Sequence, residues 1–136
     1  RPPRPTLFPY TTLFRSIDFE AAVAAIVSSL VDLVETEPAI YGFLVRTIRS
    51  GERGFFDNAL VEVIRERGGR LVEFANPNIS TETRAVLVDG AFGFLLFSIE
   101  SWKLRRTPSR EVLVDTLTKS VVAGFTAAAV QRVPEN

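Results

Sequence analysis

Apolar residues recur along this chain at helical spacing. Between Ser80 and Arg106 the apolar and small positions are Leu87, Gly90, Ala91, Phe94, Leu95, Ser98, Ile99 and Trp102. That pattern predicts a long helix with more than one apolar face. Thr107-Pro108-Ser109 then stops and restarts the chain. Pro108 suits a first helical position, and Thr107 or Ser109 suits the cap. The next helix carries Leu113, Leu117, Ser120, Val121, Gly124 and Ala128. Ser120, Gly124 and Ala128 stand four apart, which predicts a flat stripe that another helix can approach closely. Helices apolar on several faces must bury several faces. In a short chain, one of those faces is expected to meet a second copy.

Three further helices precede this pair. Asp18 suits the cap of a helix reaching about Glu35, with Phe19, Val23, Ile26, Val27, Leu30, Val31 and Val34 as its stripe. Asp32, Glu35 and Glu37 crowd its C-terminal end, which the helix dipole disfavours for anions. Pro38 opens a short helix over Ala39 to about Arg49, with Ile40, Phe43, Leu44 and Ile48 inward. Gly51-Glu52-Arg53-Gly54 reads as a loop. A third helix spans about Phe55 to Ala75 on Phe56, Leu60, Val63, Ile64, Arg67, Leu71 and Phe74. Gly68-Gly69 interrupts it, at roughly 1 kcal/mol per glycine relative to alanine, so a bend or looseness is expected there. Arg67 on that stripe is read as a snorkelling side chain rather than a buried cation awaiting an acidic ligand. Asn76-Pro77-Asn78 ends the helix, and Ser80 or Thr81 caps the next. With neither strand alternation nor repeats, the expected fold is all-α with five helices.

Composition narrows the chemistry. The chain has 136 residues, 46% hydrophobic and 24% charged, with no formal net charge. One domain with a modest core fits, and a bare electrostatic grip on nucleic acid does not. Neither Cys nor His occurs, which excludes disulfides, thiolate nucleophiles, His-based triads and ordinary zinc sites. Neither a metal nor a cofactor is expected, and no enzyme activity. Carboxylate pairs such as Glu35 and Glu37 fall in polar turns, and Gly51-Glu52-Arg53-Gly54 lacks the strand and lysine of a phosphate loop. Lys103, Arg105, Arg106 and Arg110 are read as cations favoured at a helix C-terminus rather than as a phosphate site. No apolar run is read as long enough to cross a bilayer, so no membrane partner is expected and a cytoplasmic location is compatible.

The first sixteen residues stand apart. Thr6-Leu7-Phe8-Pro9-Tyr10-Thr11-Thr12-Leu13-Phe14-Arg15-Ser16 looks like the translation of a common sequencing adapter oligonucleotide. Residues 1–16 are therefore read as a non-native, disordered tail and set aside from fold reasoning. A native proline-rich basic arm and a secretory signal are the competing readings. The chain has no Met and opens on Arg1, so a piece of a longer protein is expected, with native sequence from near Ile17.

Two stretches carry a family likeness. Glu37-Pro38-Ala39-Ile40-Tyr41-Gly42-Phe43-Leu44 resembles the break between the first effector-domain helices of tetracycline-repressor (TetR) family regulators. Trp102-Lys103-Leu104-Arg105-Arg106-Thr107-Pro108-Ser109-Arg110-Glu111-Val112-Leu113-Val114-Asp115 resembles the junction between their last two helices. The likeness spans Ile17 to about Ala129. It implies that residues 17–136 are a TetR-like ligand-binding and dimerisation domain. The family's N-terminal helix-turn-helix is missing here, so operator DNA would be reached only through that absent part. It further implies a homodimer whose last two helices form an intersubunit four-helix bundle, and a small apolar or aromatic effector. Leu87, Ala91, Phe94, Ser98 and Trp102, with Leu113, Leu117, Ser120, Val121, Gly124 and Ala128, are the candidate dimer face, Trp102 being its anchor. Tyr41, Phe43, Phe56, Leu60, Ile64, Phe74 and Phe92 are the candidate cavity wall, with Tyr41 and Arg46 as polar contacts. An ordinary filled core is the alternative for each wall residue taken singly. A helical scaffolding or interaction domain without ligand is the alternative for the whole.

Overall fold

The computed structural model describes residues 7–49 and 55–128, with side chains for 18–46 and 62–127. The fold is all-α: α1 (Leu7–Thr36), α2 (Pro38–Arg49), α3 (Phe55–Ala75), α4 (Thr81–Arg105) and α5 (Arg110–Ala128), with no strand among the described residues. The Gly51–Gly54 loop, the side chains of Ile48, Phe56, Leu60 and Ala128, and residues 1–6 lie outside that description.

Local chemistry sets most boundaries. Pro38 opens α2 where a missing amide costs nothing, and the Glu37 carbonyl accepts the Tyr41 N–H at 3.1 Å. Asn76 ends α3, its side-chain oxygen accepting the Asn78 N–H at 3.1 Å. Ser80 caps α4 by accepting the Thr83 N–H at 3.2 Å. Arg106 closes α4 in the left-handed conformation, φ 59°. Ser109, not Pro108, precedes α5, and its hydroxyl accepts the Val112 N–H at 3.3 Å.

Two expectations need correction at the N-terminus. The helix starts at Leu7 rather than at an Asp18 cap, and Leu7–Ser16 are helical rather than a disordered tail. Extending a helix is easy once a packed segment has nucleated it. Pro9 falls in the first turn, where its lack of an N–H is tolerated.

α1 is the central element and packs on all four others. Phe19, Val23, Val27, Val31 and Val34 bury along its inner face, and Ile26 remains 37% exposed. Each such side chain contributes roughly 1.5–3 kcal/mol on burial. α5 lies along α1 with Leu113, Leu117, Val121 and Phe125 inward, and the Phe19 and Phe125 rings stand 5.9 Å apart. α3 packs mainly on α4.

The inner faces of α2 and α3 are rotated from the predicted stripes. On α2, Tyr41 is fully buried and Leu44 and Val45 pack on the core, whereas Ile40 and Phe43 are more than half exposed. On α3, Val72 is fully buried, Val63 and Phe74 are partly exposed, and Arg67 is exposed rather than a buried cation. The reason lies at Gly68. A Cβ there would stand 2.7 Å from Val88 Cγ1, so the glycine lets α3 and α4 approach closely. α3 is one continuous helix across the pair of glycines.

Candidate functional site

The residues read as a cavity wall are dispersed. Tyr41 is buried at the α2–α4 contact, where its hydroxyl donates to the Leu96 carbonyl at 2.9 Å. Burial first, and then the nearby Glu100 carboxylate, pushes its phenol pKa well above the ordinary tyrosine value. That hydroxyl is therefore committed to the fold. Arg46 and Phe43 are exposed, and Phe74 is 43% exposed. Ile64 and Phe92 are half-buried, Phe92 against the core. The Phe56 and Leu60 side chains lie outside the described residues.

The candidate dimer face divides into two sets. Trp102, Leu113, Leu117 and Val121 are buried by their own chain and belong to its core. Trp102 anchors the α4–α5 turn instead of a partner: its indole N–H donates to the Pro108 carbonyl at 2.7 Å, and the Arg106 guanidinium lies 5.0 Å from its ring centroid. Leu87, Ala91 and Ser98 are half-buried, while Phe94, Ser120 and Gly124 face outward. A Cβ added at Gly124 would meet nothing within 4 Å.

Opposite the core, α4 presents a second apolar stripe. Val86, Phe97 and Leu104 are 71%, 76% and 82% exposed. Gly90 and Gly93 stand beside them with open space where a Cβ would be. At the helical repeat these five positions fall within an arc of about 60°. α4 is long and apolar enough to cross a membrane by length and composition, which corrects the expectation that no run reached that length. The core helix of a soluble domain satisfies the same criterion. α4 also carries Asp89, paired with Arg65 of α3 at 3.0 Å.

The charges at the wrong helix ends answer one another. Asp32 and Glu35 sit at the C-terminal end of α1, and Arg110 sits in the first turn of α5. Arg110 pairs with Asp32, reaches Glu35 at 3.1 Å and Ser28 at 3.4 Å, and Arg106 adds a 3.8 Å contact to Glu35. The hydrogen bond to Asp32 is the main cause that raises the Arg110 pKa. Lys103 and Arg105 occupy the last turn of α4, where the dipole favours them.

Two surface grooves border these elements. One, of about 560 Å³, runs between α1 and α5 along Glu20, Ala21, Ala24, Arg110, Glu111, Val114, Asp115 and Thr118. The other, of about 460 Å³, runs between α3 and α4 and includes Arg65, Arg70, Arg84 and Glu73. Of the eight residues read as ligand contacts, the six whose side chains are described line neither groove. Sequence reasoning missed three side chains whose buried polar atoms lack hydrogen-bond partners: Arg84 Nε, Glu100 Oε2 and Thr118 Oγ1. A threonine inside the run Leu117 to Val122 was the available signal for the last. Among the described residues, no group of three or more acidic side chains is placed to hold a metal ion. Compared with protein-family models, curated proteins and solved structures, the chain gives no match.

Proposed function

We propose that this chain is the ligand-sensing and dimerising domain of a TetR-like bacterial transcriptional repressor that works in the cytoplasm. Its DNA-reading part would lie outside residues 17–136, and a small apolar or aromatic effector would shift the relative placement of two subunits. The observation that carries the reading is the exposed apolar stripe on α4, Val86, Phe97 and Leu104, flanked by glycines with open space beside them. Large apolar side chains aligned on one helix face mark an interaction surface, and an isologous patch of this kind suits a two-fold partner. Ser120, Ala123 and Gly124 of α5 are exposed as well.

Sedimentation velocity tests this. Wild type is expected to sediment as a particle of twice the 15.1 kDa chain mass. Phe97→Glu would bury an unpaired carboxylate in the interface, and is expected to weaken association by at least about a hundredfold, or ~3 kcal/mol. A wild type that stays monomeric at high concentration refutes the reading.

A scaffold without ligand is the second reading. It is favoured by the commitment of the Tyr41 hydroxyl to Leu96 and by the exposure of Phe43 and Arg46. A thermal-shift screen with apolar and aromatic metabolites separates the two. Stabilisation by any of them supports the sensor, and a flat response across the screen supports the scaffold.

A further inference from the structure

The apolar stripe on α4 has a symmetry of its own. Val86 and Leu104 stand nine residues to either side of Leu95, and Gly93 and Phe97 stand two to either side. Val86 and Leu104 are separated by five full helical turns, so they lie on one line, about 27 Å apart. Gly93 and Phe97 flank that line by about 20° on opposite sides. A two-fold axis crossing the helix at the level of Leu95 therefore exchanges these positions in pairs. It sets phenylalanine against glycine, and valine against leucine.

The shapes at these positions fit that exchange. Val86, Phe97 and Leu104 are all more than two-thirds exposed. A Cβ at Gly90 or Gly93 would meet nothing within 4 Å, so the two glycines leave a notch open from outside. An antiparallel pair of α4 helices fills each notch with the other copy's phenylalanine. A parallel pair would stack the two phenylalanines on each other and leave the notches face to face. Self-complementarity of this kind is what an isologous contact requires. A bilayer or an unrelated protein would impose no such symmetry on the stripe.

The charges favour the same direction. Glu82 lies in the first turn of α4, and Lys103 and Arg105 lie in its last. Antiparallel pairing sets Glu82 at the end that carries the partner's Lys103 and the partner's Arg105, and it opposes the two helix dipoles. Parallel pairing would bring like ends together. Between the ends, Asp89 is held by Arg65 of its own chain at 3.0 Å. Glu100 turns into its own chain, where its Oε2 is buried.

We propose that a second copy of this chain seats antiparallel on α4 with the two-fold axis at the level of Leu95, so that Phe97 lodges on the partner's Gly93 and Val86 lies against the partner's Leu104. The pairing rests on the dimer reading above and adds its direction and register.

Thiol crosslinking of the full chain tests it, because the chain has no Cys of its own. Val86→Cys and Leu104→Cys are oxidised with copper phenanthroline, each alone and after the two are unfolded and refolded as an equal mixture. A disulfide needs Cβ atoms within about 4.5 Å. The mixture is expected to give a covalent dimer on a non-reducing gel. Each single variant is expected to give almost none, its two thiols standing about 27 Å apart. Gly93→Leu fills the notch from outside, and is expected to weaken association at least about tenfold in sedimentation velocity. Adding Phe97→Ala should recover much of that loss, because large and small side chains have then changed places. Crosslinking of each single variant to itself, a mixture that does not crosslink, or Gly93→Leu associating like wild type overturns the antiparallel pairing and leaves the dimer reading standing. A wild type that stays monomeric overturns both, and flotation of that monomer with phosphatidylcholine vesicles would assign the stripe to a bilayer.

Discussion

Gly68→Ala and Gly69→Ala form a matched pair in which helix propensity and packing predict opposite signs. Each substitution removes the backbone-entropy cost of glycine inside α3, a gain of roughly 1 kcal/mol. At Gly69 the new methyl would meet Arg84 Cδ at 3.4 Å, an ordinary contact with a flexible side chain. The gain survives there, and Gly69→Ala is expected to stabilise by about 0.5–1 kcal/mol. At Gly68 the methyl would fall 2.7 Å from Val88 Cγ1 and 3.3 Å from Cγ2. Val88 is 2% exposed, and its branched side chain has little rotamer freedom in a helix. Either Val88 leaves its rotamer or α3 moves off α4, at a cost of about 1–3 kcal/mol. The net expectation is a destabilisation of about 1 kcal/mol, against a gain at the neighbouring residue. Urea unfolding at one fixed protein concentration, followed by the fluorescence of Trp102, reads both variants. Val88→Ala removes the obstructing methyls, so combining it with Gly68→Ala should give a favourable coupling of at least about 1 kcal/mol. If Gly68→Ala stabilises as much as Gly69→Ala, α3 and α4 do not approach as described.

Other perturbations test other contacts. Tyr41→Phe is expected to lose about 1 kcal/mol at neutral pH through the bond to Leu96. Because the Tyr41 pKa is raised on folding, the unfolded chain ionises first, so wild-type stability should fall above pH ~10 by up to about 1.4 kcal/mol per unit. Urea midpoints at pH 9 and 11 should fall less in the variant, and equal falls would refute the assignment. Arg110→Leu strips Asp32 and Glu35 of their main cation. Its melting temperature should drop at low salt, and the deficit should shrink in 1 M NaCl, where the screening length falls to about 3 Å; a salt-independent deficit would point to packing instead. Trp102→Phe removes the bond to Pro108, and circular dichroism should show a loss of about 1 kcal/mol or more without a change in oligomeric state. A variant that dissociates would restore Trp102 to the subunit interface.

Helix ends were legible because they depend on short-range chemistry. Pro38, Asn76-Pro77, Ser80 and Ser109 each act within a turn of themselves, and the boundaries followed them. Facing was less legible. The α3 stripe passes through side chains, so Gly68 counts as a gap, whereas it is a point of close packing on Val88. Skipping it turned the expected face towards Val63, Arg67 and Phe74, all of which are exposed. Aromatic content misled in a similar way. Tyr41 and Phe43 are two residues apart on a helix, about 200° around it, and they cannot line one chamber from the same helix face. The acidic end of α1 was visible as an anomaly, but its answer lay 75 residues away at Arg110. Nothing in local spacing links the two.

α4 shows why periodicity alone cannot tell a core from an interface. It carries two apolar faces. Val88, Leu95, Ile99 and Trp102 form one, and Val86, Phe97 and Leu104 form the other. Both repeat at the helical period, so hydrophobicity ranks them equally. What separates them is the turn that follows. Trp102 must reach back to Pro108 to satisfy its indole N–H, which commits the Trp102 face to the inside of the α4–α5 hairpin. The opposite face then cannot be covered by α5 of the same chain, because one short turn brings α5 to only one side of α4. Trp102 is thus buried by its own chain, through the same hydrogen bond that makes the turn. The second subunit proposed above would seat on the Phe97 face, about 140° away around the helix, and Phe97→Glu is accordingly the substitution that tests partnership without disturbing the hairpin.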